Sequence, residues 1–497
     1  MRAFVLILLT LFLNASTLAI AGQPFNPLTT DLPSAINSQL PDLSSPANAM
    51  VSRSEQYQIG YSVMLQMRQQ RQTFDDPETS EYVQELGQRL ASQSTDGGGD
   101  FHYVVLKSDE FNSFAVSGGF VFIFSEVLLA SQTESELAGI VAHETAHITQ
   151  NHLARKFQEQ QQATMTSLAA MLATILLGAL GGGGGDAIEG GIAASQGLAA
   201  QQQIDFSRSE EEEADRVGIQ YLAAAGFDPQ GMADIFERVS RQRGIQDSWV
   251  PAILIDHPVD EDRVAEARAR AAQFPPTPNT SSPDFWLIKE RVRVLTAPGD
   301  EDIQRYYAQR IAGGNHSVST LYGDALALMQ DNKPAEAVPI LKKLVAQHSD
   351  LHLLYAALGQ AQVKAGEMKD ALATFRLATV LFPRNVPVTV RYAQALMADN
   401  KAAEAHDVLL DLFNNVPPTI DQIQLTARAA SAAGDVGDAY YYMGEYQIAD
   451  GNLPLAAEQY QLALATPHLT NVQRKRISAR LREVREYLAS THQRHSE

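Results

Sequence analysis

The sequence predicts a mainly α protein, with a small β-sheet in its first domain and an all-α solenoid of helical repeats behind it. Three observations carry this: turn-forming and small residues recur with a 34-residue period in the C-terminal third, two short β-rich runs lie at 101–106 and 120–124, and a capped apolar run with helical spacing follows them. At 497 residues there is room for two or three domains, each able to bury its own core. A hydrophobic fraction of 45% with 19% charged residues is ordinary for globular protein.

Along the chain, Met1 and Arg2 precede an apolar run from Ala3 to Leu13 and a small-residue stretch ending Ala19-Ile20-Ala21. That pattern predicts a Sec-type signal peptide over 1–21, since the run is shorter than the ~20 residues a membrane span needs. Residues 22–50, rich in Pro, Ser and Asn, read as an extended lead-in. The first domain is expected over 51–275. Helical patterning runs from Ser52 through Leu90, and a turn at Gly97 to Gly99 leads into the β-rich run Phe101 to Leu106. Phe120 to Phe124 reads as a strand buried on both faces, entered through Gly118-Gly119, a pair that permits close backbone approach.

Thr133 and Glu136 fit a capping box ahead of the next helix, whose pattern continues to about Gln158. Leu168 to Leu180 is apolar and is followed by five glycines, Gly181 to Gly185. It reads as a helical hairpin or lid, with membrane-surface contact through 168–200 as the alternative. Ser207 to Leu222 is a further helix, stopped by Gly226 and Pro229, and the Pro-rich stretch at 274–278 ends the domain. A linker and connecting helix are expected over 276–314.

Over 315–490, Glu336-Ala337, Asp370-Ala371, Glu404-Ala405 and Asp438-Ala439 recur every 34 residues, each preceded by Asn332, Gly366, Asn400 or Gly434. Pro383 and Pro417 keep the same interval, and Gly451 with Ala456 and Ala457 adds one more helix pair. This is the signature of tetratricopeptide repeats, whose stacked helix pairs form a curved surface suited to gripping another protein.

The chain has no cysteine, so disulfides, thiolate ligands and cysteine nucleophiles are excluded, and any metal chemistry must use His and carboxylates. A net charge of −20 disfavours nucleic acid as a partner and favours solubility. His143-Glu144-Thr145-Ala146-His147 lies within the capped helix. Residues i and i+4 share a helix face, so both imidazoles can aim at one metal ion, and Glu144 falls where a carboxylate can take a proton from metal-bound water. A third His six residues beyond the second is ruled out because Leu153 stands there and His152 is off by one. The run Glu210-Glu211-Glu212-Glu213 offers a carboxylate instead. Glu211 is favoured because Asp215, one turn on, could then hydrogen-bond a ligand imidazole, leaving the remaining glutamates as a solvated face.

With Asn112-Ser113-Phe114-Ala115, Gly118-Gly119, the motif from His143 to His147, Ser207-Arg208 with Glu211, Ala214 and Asp215, and Ala225 to Pro229, the sequence resembles the zinc metallopeptidase family typified by HtpX and the CAAX prenyl proteases. Within it, the chain is most similar to the secreted, tetratricopeptide-bearing branch, over nearly the whole mature length. The resemblance implies an α+β, zincin-like first domain with one Zn2+ per chain. His143, His147 and Glu211 match its ligands, Glu144 its catalytic glutamate, and Asp215 a residue viewed as proton donor or orienter of a ligand; physical reasoning favours the orienter.

It further implies that the strand starting at Gly118 and Gly119 lies along the substrate cleft, where a peptide is held through its backbone as an added strand. Ser117, where the family often has Pro, leaves that turn less rigid. His257, in a His-Pro element with Arg263 six residues on, matches a regulatory fourth ligand that represses activity until it moves. The implied clients are outer-membrane β-barrel proteins and their assembly machinery, held by the repeats in the periplasm of a Gram-negative bacterium. The expected function is an endopeptidase with a chaperone-like role in barrel assembly and quality control. The alternative is mainly a repeat-based assembly factor with repressed or occasional proteolysis.

Overall fold

The computed structural model describes residues 53–94, 100–159, 207–242, 257, 259–278, 280–299 and 302–494. The signal peptide and lead-in, the Gly97 to Gly99 turn and the 168–200 hairpin lie outside the described residues.

Helix α1 (Arg53–Gln69) and helix α2 (Pro77–Ala91) take the place of the single helical run expected from Ser52 to Leu90. The break is local chemistry. Pro77 has no N–H and suits a first helical turn, and the Asp76 carboxylate accepts from the Thr79 N–H at 3.0 Å, capping a new helix. Strands β1 (His102–Leu106), β2 (Ser113–Val116) and β3 (Phe120–Phe124) form one sheet in the order β1-β3-β2, with β3 parallel to β1 and antiparallel to β2. Every residue of β3 is buried, as its apolar run requires.

The turn from β2 to β3 needs its glycines. Gly118 and Gly119 have φ of 87° and 92°, and a Cβ on Gly118 would stand 2.5 Å from both the Gln56 carbonyl oxygen and the Tyr57 Cα of α1. By reversing the chain here, the turn makes β3 the central strand. This corrects the expectation of an open edge on the strand that starts at the glycine pair: β1 and β2 flank β3 and are the sheet's two edges among the described residues.

Helix α3 (Ser125–Ala130) leads to helix α4 (Glu134–Thr149), which carries the His143 motif. The Glu136 N–H donates to Thr133 Oγ1 at 3.2 Å, but the Glu136 carboxylate accepts from the Gln132 N–H at 2.6 Å, so the capping box is shifted by one residue. The helix ends well short of Gln158. Asn151 takes φ 53°, a left-handed conformation that Asn tolerates, and a separate helix α5 (His152–Glu159) begins. Helix α6 (Arg208–Ala224) opens with a complete Ser207–Glu210 capping box. It is followed by α7 (Gln230–Gln242), α8 (Glu261–Ala271), α9 (Pro283–Thr296) and α10 (Ile303–Ala312), so the expected connecting helix is two helices.

All residues from Glu134 to His147 are buried because α4 is packed by α2, α6, α7 and the sheet. Gly218 of α6 faces the histidine helix. A Cβ there would sit 3.2 Å from the Ala142 backbone, so glycine relieves a tight contact where α6 lies against the histidine helix.

The remaining helices are α11 (Val318–Gln330), α12 (Pro334–Gln347), α13 (His352–Lys364), α14 (Met368–Leu381), α15 (Val386–Ala398), α16 (Ala402–Phe413), α17 (Ile420–Ala433), α18 (Val436–Ala449), α19 (Leu453–Ala465) and α20 (Asn471–Arg494). Each packs on the next. Asn332, Gly366, Asn400 and Gly434, the periodic turn positions, all have left-handed backbone, with φ of 58°, 78°, 57° and 83°. Ala337, Ala371 and Ala405 are fully buried where helices cross, while Ala439 is half-buried. The solenoid is fastened to the first domain by a buried charge cluster. Arg291 of α9 donates to both Asp76 oxygens at 2.7 Å and to Glu78 at 3.0 Å, and Arg391 of α15 donates to Glu78 at 2.7 and 3.0 Å. No helix among the described residues is long and apolar enough to cross a membrane.

Candidate active site and metal centre

On α4, one helical turn separates His143 from His147 and brings their Nε2 atoms to 3.0 Å. On α6, Glu211, Ala214, Asp215 and Gly218 follow i, i+3, i+4, i+7 spacing, and all lie on the buried face that meets α4. Asp215 Oδ1 is 2.9 Å from His143 Nδ1, which leaves Nε2 of that ring turned toward His147. Asp215 is itself clamped by Arg263 of α8, whose Nε and Nη2 donate to its two oxygens at 2.9 Å. The same guanidinium places Nη1 2.9 Å from Glu211 Oε2. Arg263 thus sets both acids of α6 at once.

Glu211 reaches the histidine pair, with Oε1 3.4 Å from His147 Nε2 and Oε2 3.5 Å from His143 Nε2. His257 closes the group, its Nδ1 lying 2.9 Å from Glu211 Oε1 and 3.3 Å from His143 Nε2. One ligand atom from each of these four buried residues lies within 4.8 Å of the others. A metal bound by N and O at about 2.0–2.2 Å holds tetrahedral ligands ~3.4 Å apart. The separations from 2.9 to 3.5 Å are of that size, and three imidazoles with one carboxylate suit Zn2+ in a chain without thiolates.

The electrostatics agree. Burial drives His147 well below the ordinary imidazole range, leaving its ring neutral as a ligand must be. Burial works to raise Glu211, but the facing His257 and the two other imidazoles outweigh it and hold the carboxyl well below its usual range. For His143, burial opposes protonation, yet Asp215 and Glu211 push it up to about 10, so without a metal the carboxylates hold a proton on this ring that a bound cation would have to displace. So much negative charge against closed-in lone pairs calls for a cation at their centre.

Glu144 is fully buried, and Ser113 at the start of β2 donates its hydroxyl to Glu144 Oε1 at 2.7 Å. Glu144 Oε2 is buried without a hydrogen-bond partner among the described residues. Gln56, Ala115, Val116, Gly118, His147 and Leu153 line a cleft between β2 and the histidine helix.

A model described as peptidase family M48 matches residues 77–271. Proteins described as β-barrel assembly-enhancing protease from Escherichia coli (strain K12) and Yersinia pestis are 32% and 30% identical, each over 90% of this chain and 91% of the relative. The chain belongs to the β-barrel assembly-enhancing proteases of peptidase family M48. It is accordingly a metallopeptidase, and the buried His143, His147 and Glu211 fit the metal site of an H-E-x-x-H enzyme. The metalloprotease LoiP of Escherichia coli (strain K12) is 26% identical over 39% of this chain and 72% of its own.

The structure brings together every site residue expected from the sequence except the glycine pair, which forms the turn between β2 and β3 rather than an open edge, with Gly118 lining the cleft. Three participants carried no expected role. Ser113 was legible only as part of a family pattern, and Arg263 only by its spacing from His257. His152, discounted because it is off by one, is fully buried with Nδ1 2.9 Å from His147 Nδ1. Nor are the glutamates beside Glu211 all solvated: Glu213 accepts from His152 Nε2 at 3.1 Å and Arg155 at 2.8 Å.

Proposed function

We propose that this chain is a periplasmic zinc endopeptidase that degrades misassembled outer-membrane β-barrel proteins and assists the assembly of others. Residues 1–21 direct export, 51–275 form the peptidase domain, 276–314 connect, and the repeats over 315–490 hold the client and the barrel assembly machinery. The observation that carries this is the convergence of His143, His147, Glu211 and His257 within 4.8 Å, beside a buried Glu144. The names of the relatives supply the client class.

His143, His147 and Glu211 would hold the Zn2+. Bound there, it supplies Lewis acidity toward a peptide carbonyl and acidifies water. Glu144 is the general base, and its Oε2 is the oxygen left to receive the proton and return it to the leaving amine. Ser113 keeps the carboxylate in that rotamer through Oε1. Asp215, which meets His143 on the Nδ1 side of the ring, orients a ligand rather than donating a proton. Purified protein is expected to hold one zinc per chain, to lose casein hydrolysis on chelation and to regain it with zinc. Equal hydrolysis by a metal-free preparation would overturn the reading.

The position of His257 favours a second reading, in which the chain acts mainly as a repeat-based assembly factor with proteolysis held in check. Its Nδ1 stands where a fourth ligand would exclude water, and its Nε2 is 3.8 Å from Glu144 Oε1. His257→Ala is expected to raise casein cleavage; unchanged or lower activity would count against repression by this residue.

A further inference from the structure

The far side of His147 is held by a partner unlike that of His143. α4 ends at Thr149, the left-handed Asn151 reverses the chain, and His152 is dropped, fully buried, onto the back of the His147 ring. With the two Nδ1 atoms 2.9 Å apart, one must donate and the other accept. If His147 ligates through Nε2, its proton is on Nδ1, so His147 donates and His152 accepts. The proton of His152 then sits on Nε2 and is donated to Glu213 Oε2 at 3.1 Å, while Arg155 Nη2 donates to the same oxygen at 2.8 Å. Each tautomer follows from the one before it, from the buried metal point out to a partly exposed carboxylate.

We propose that His152 is a positioning residue for the metal centre, fixing the ring orientation and tautomer of His147 while Glu213 fixes its own. The proposal rests on the zinc reading of His147 above. It matters because a buried N–H without an acceptor is unfavourable, and a ring free to turn would carry Nε2 away from the other ligands. His143 gains the same constraint from the charged Asp215; His147 gains it from a neutral ring, so the two ligands are supported unequally.

The test uses full-length chain with His152→Leu, His152→Asn and Glu213→Leu. The Asn amide oxygen falls near the position of the imidazole Nδ1 and can still accept. Zinc affinity is measured by chelator competition, the visible spectrum of the Co2+-substituted protein reports ligand geometry, and circular dichroism of the metal-free variants reports folding. His152→Leu is expected to weaken zinc binding about 10–100-fold and to alter the cobalt spectrum. His152→Asn should largely restore both, and Glu213→Leu, at a partly exposed position, should weaken binding in the same direction. Wild-type affinity and spectrum in folded His152→Leu, or in Glu213→Leu if the first does not fold, would overturn the proposal. So would an Asn variant as weak as the Leu variant, because burial alone would then explain the effect. Wild-type protein that takes up no zinc would instead refute the metal reading beneath it.

Discussion

Glu144→Gln is expected to cut casein hydrolysis by roughly 10²–10⁴-fold with zinc content unchanged. Gln matches Glu in shape and can still accept the Ser113 hydroxyl, so the buried site, 0% exposed, keeps its packing. What is lost is the ability to take a proton at Oε2, the oxygen with no hydrogen-bond partner among the described residues. None of the proposed ligands is altered, so a drop in bound zinc would place Glu144 in the wrong role. Client binding separates the two functional readings: retained capture of an unfolded β-barrel protein without cleavage supports both roles in one chain, whereas full retention of proteolysis demotes Glu144 as the base.

Arg291→Met is expected to lower stability by about 3–5 kcal/mol, the usual cost of removing one partner from a buried ion pair. Asp76 and Glu78 are almost wholly buried, and without the guanidinium three of their charge-assisted hydrogen bonds disappear. Arg391 remains, bound mainly to Glu78, so Asp76 bears most of the penalty. Urea unfolding of wild type and variant measures this, and a loss below about 1 kcal/mol would show the cluster to be as weak as a surface pair. The acid dependence is a second readout. Burial works to raise Asp76, but Arg291 overrides it and holds the carboxyl well below its usual range. A depressed folded value contributes stability above the unfolded value of about 3.9 and loses it as pH falls toward the folded one. Wild type should therefore lose stability on acidification below about pH 4, and Arg291→Met should lose less over that window.

How far the site could be read depended on sequence distance. The spacing of His143 and His147 is a property of one helix, and so is the i, i+4 relation of Glu211 to Asp215. The repeat period was equally local, because Asn332, Gly366, Asn400 and Gly434 each end a helix by adopting a left-handed backbone that few other residues accept. What escaped were small departures from regularity. The cap at Asp76-Pro77 splits a continuous helical pattern, β2 is only four residues long, and a single left-handed Asn151 ends the histidine helix early.

The sequence by itself therefore determined the chemistry available: two imidazoles one turn apart, a base beside them, acidic candidates downstream, no thiolate, and a helical solenoid behind. Only the tertiary structure decided that β3 is central with β1 and β2 at the sheet's edges, that Arg263 clamps Asp215 and Glu211, and that His152 and His257 close on the histidine pair. Helical periodicity is set by the backbone over a few residues, whereas the Arg263 and His257 contacts join segments far apart in the chain and exist only once α4, α6 and α8 have packed, and the His152 contact depends on the left-handed turn at Asn151.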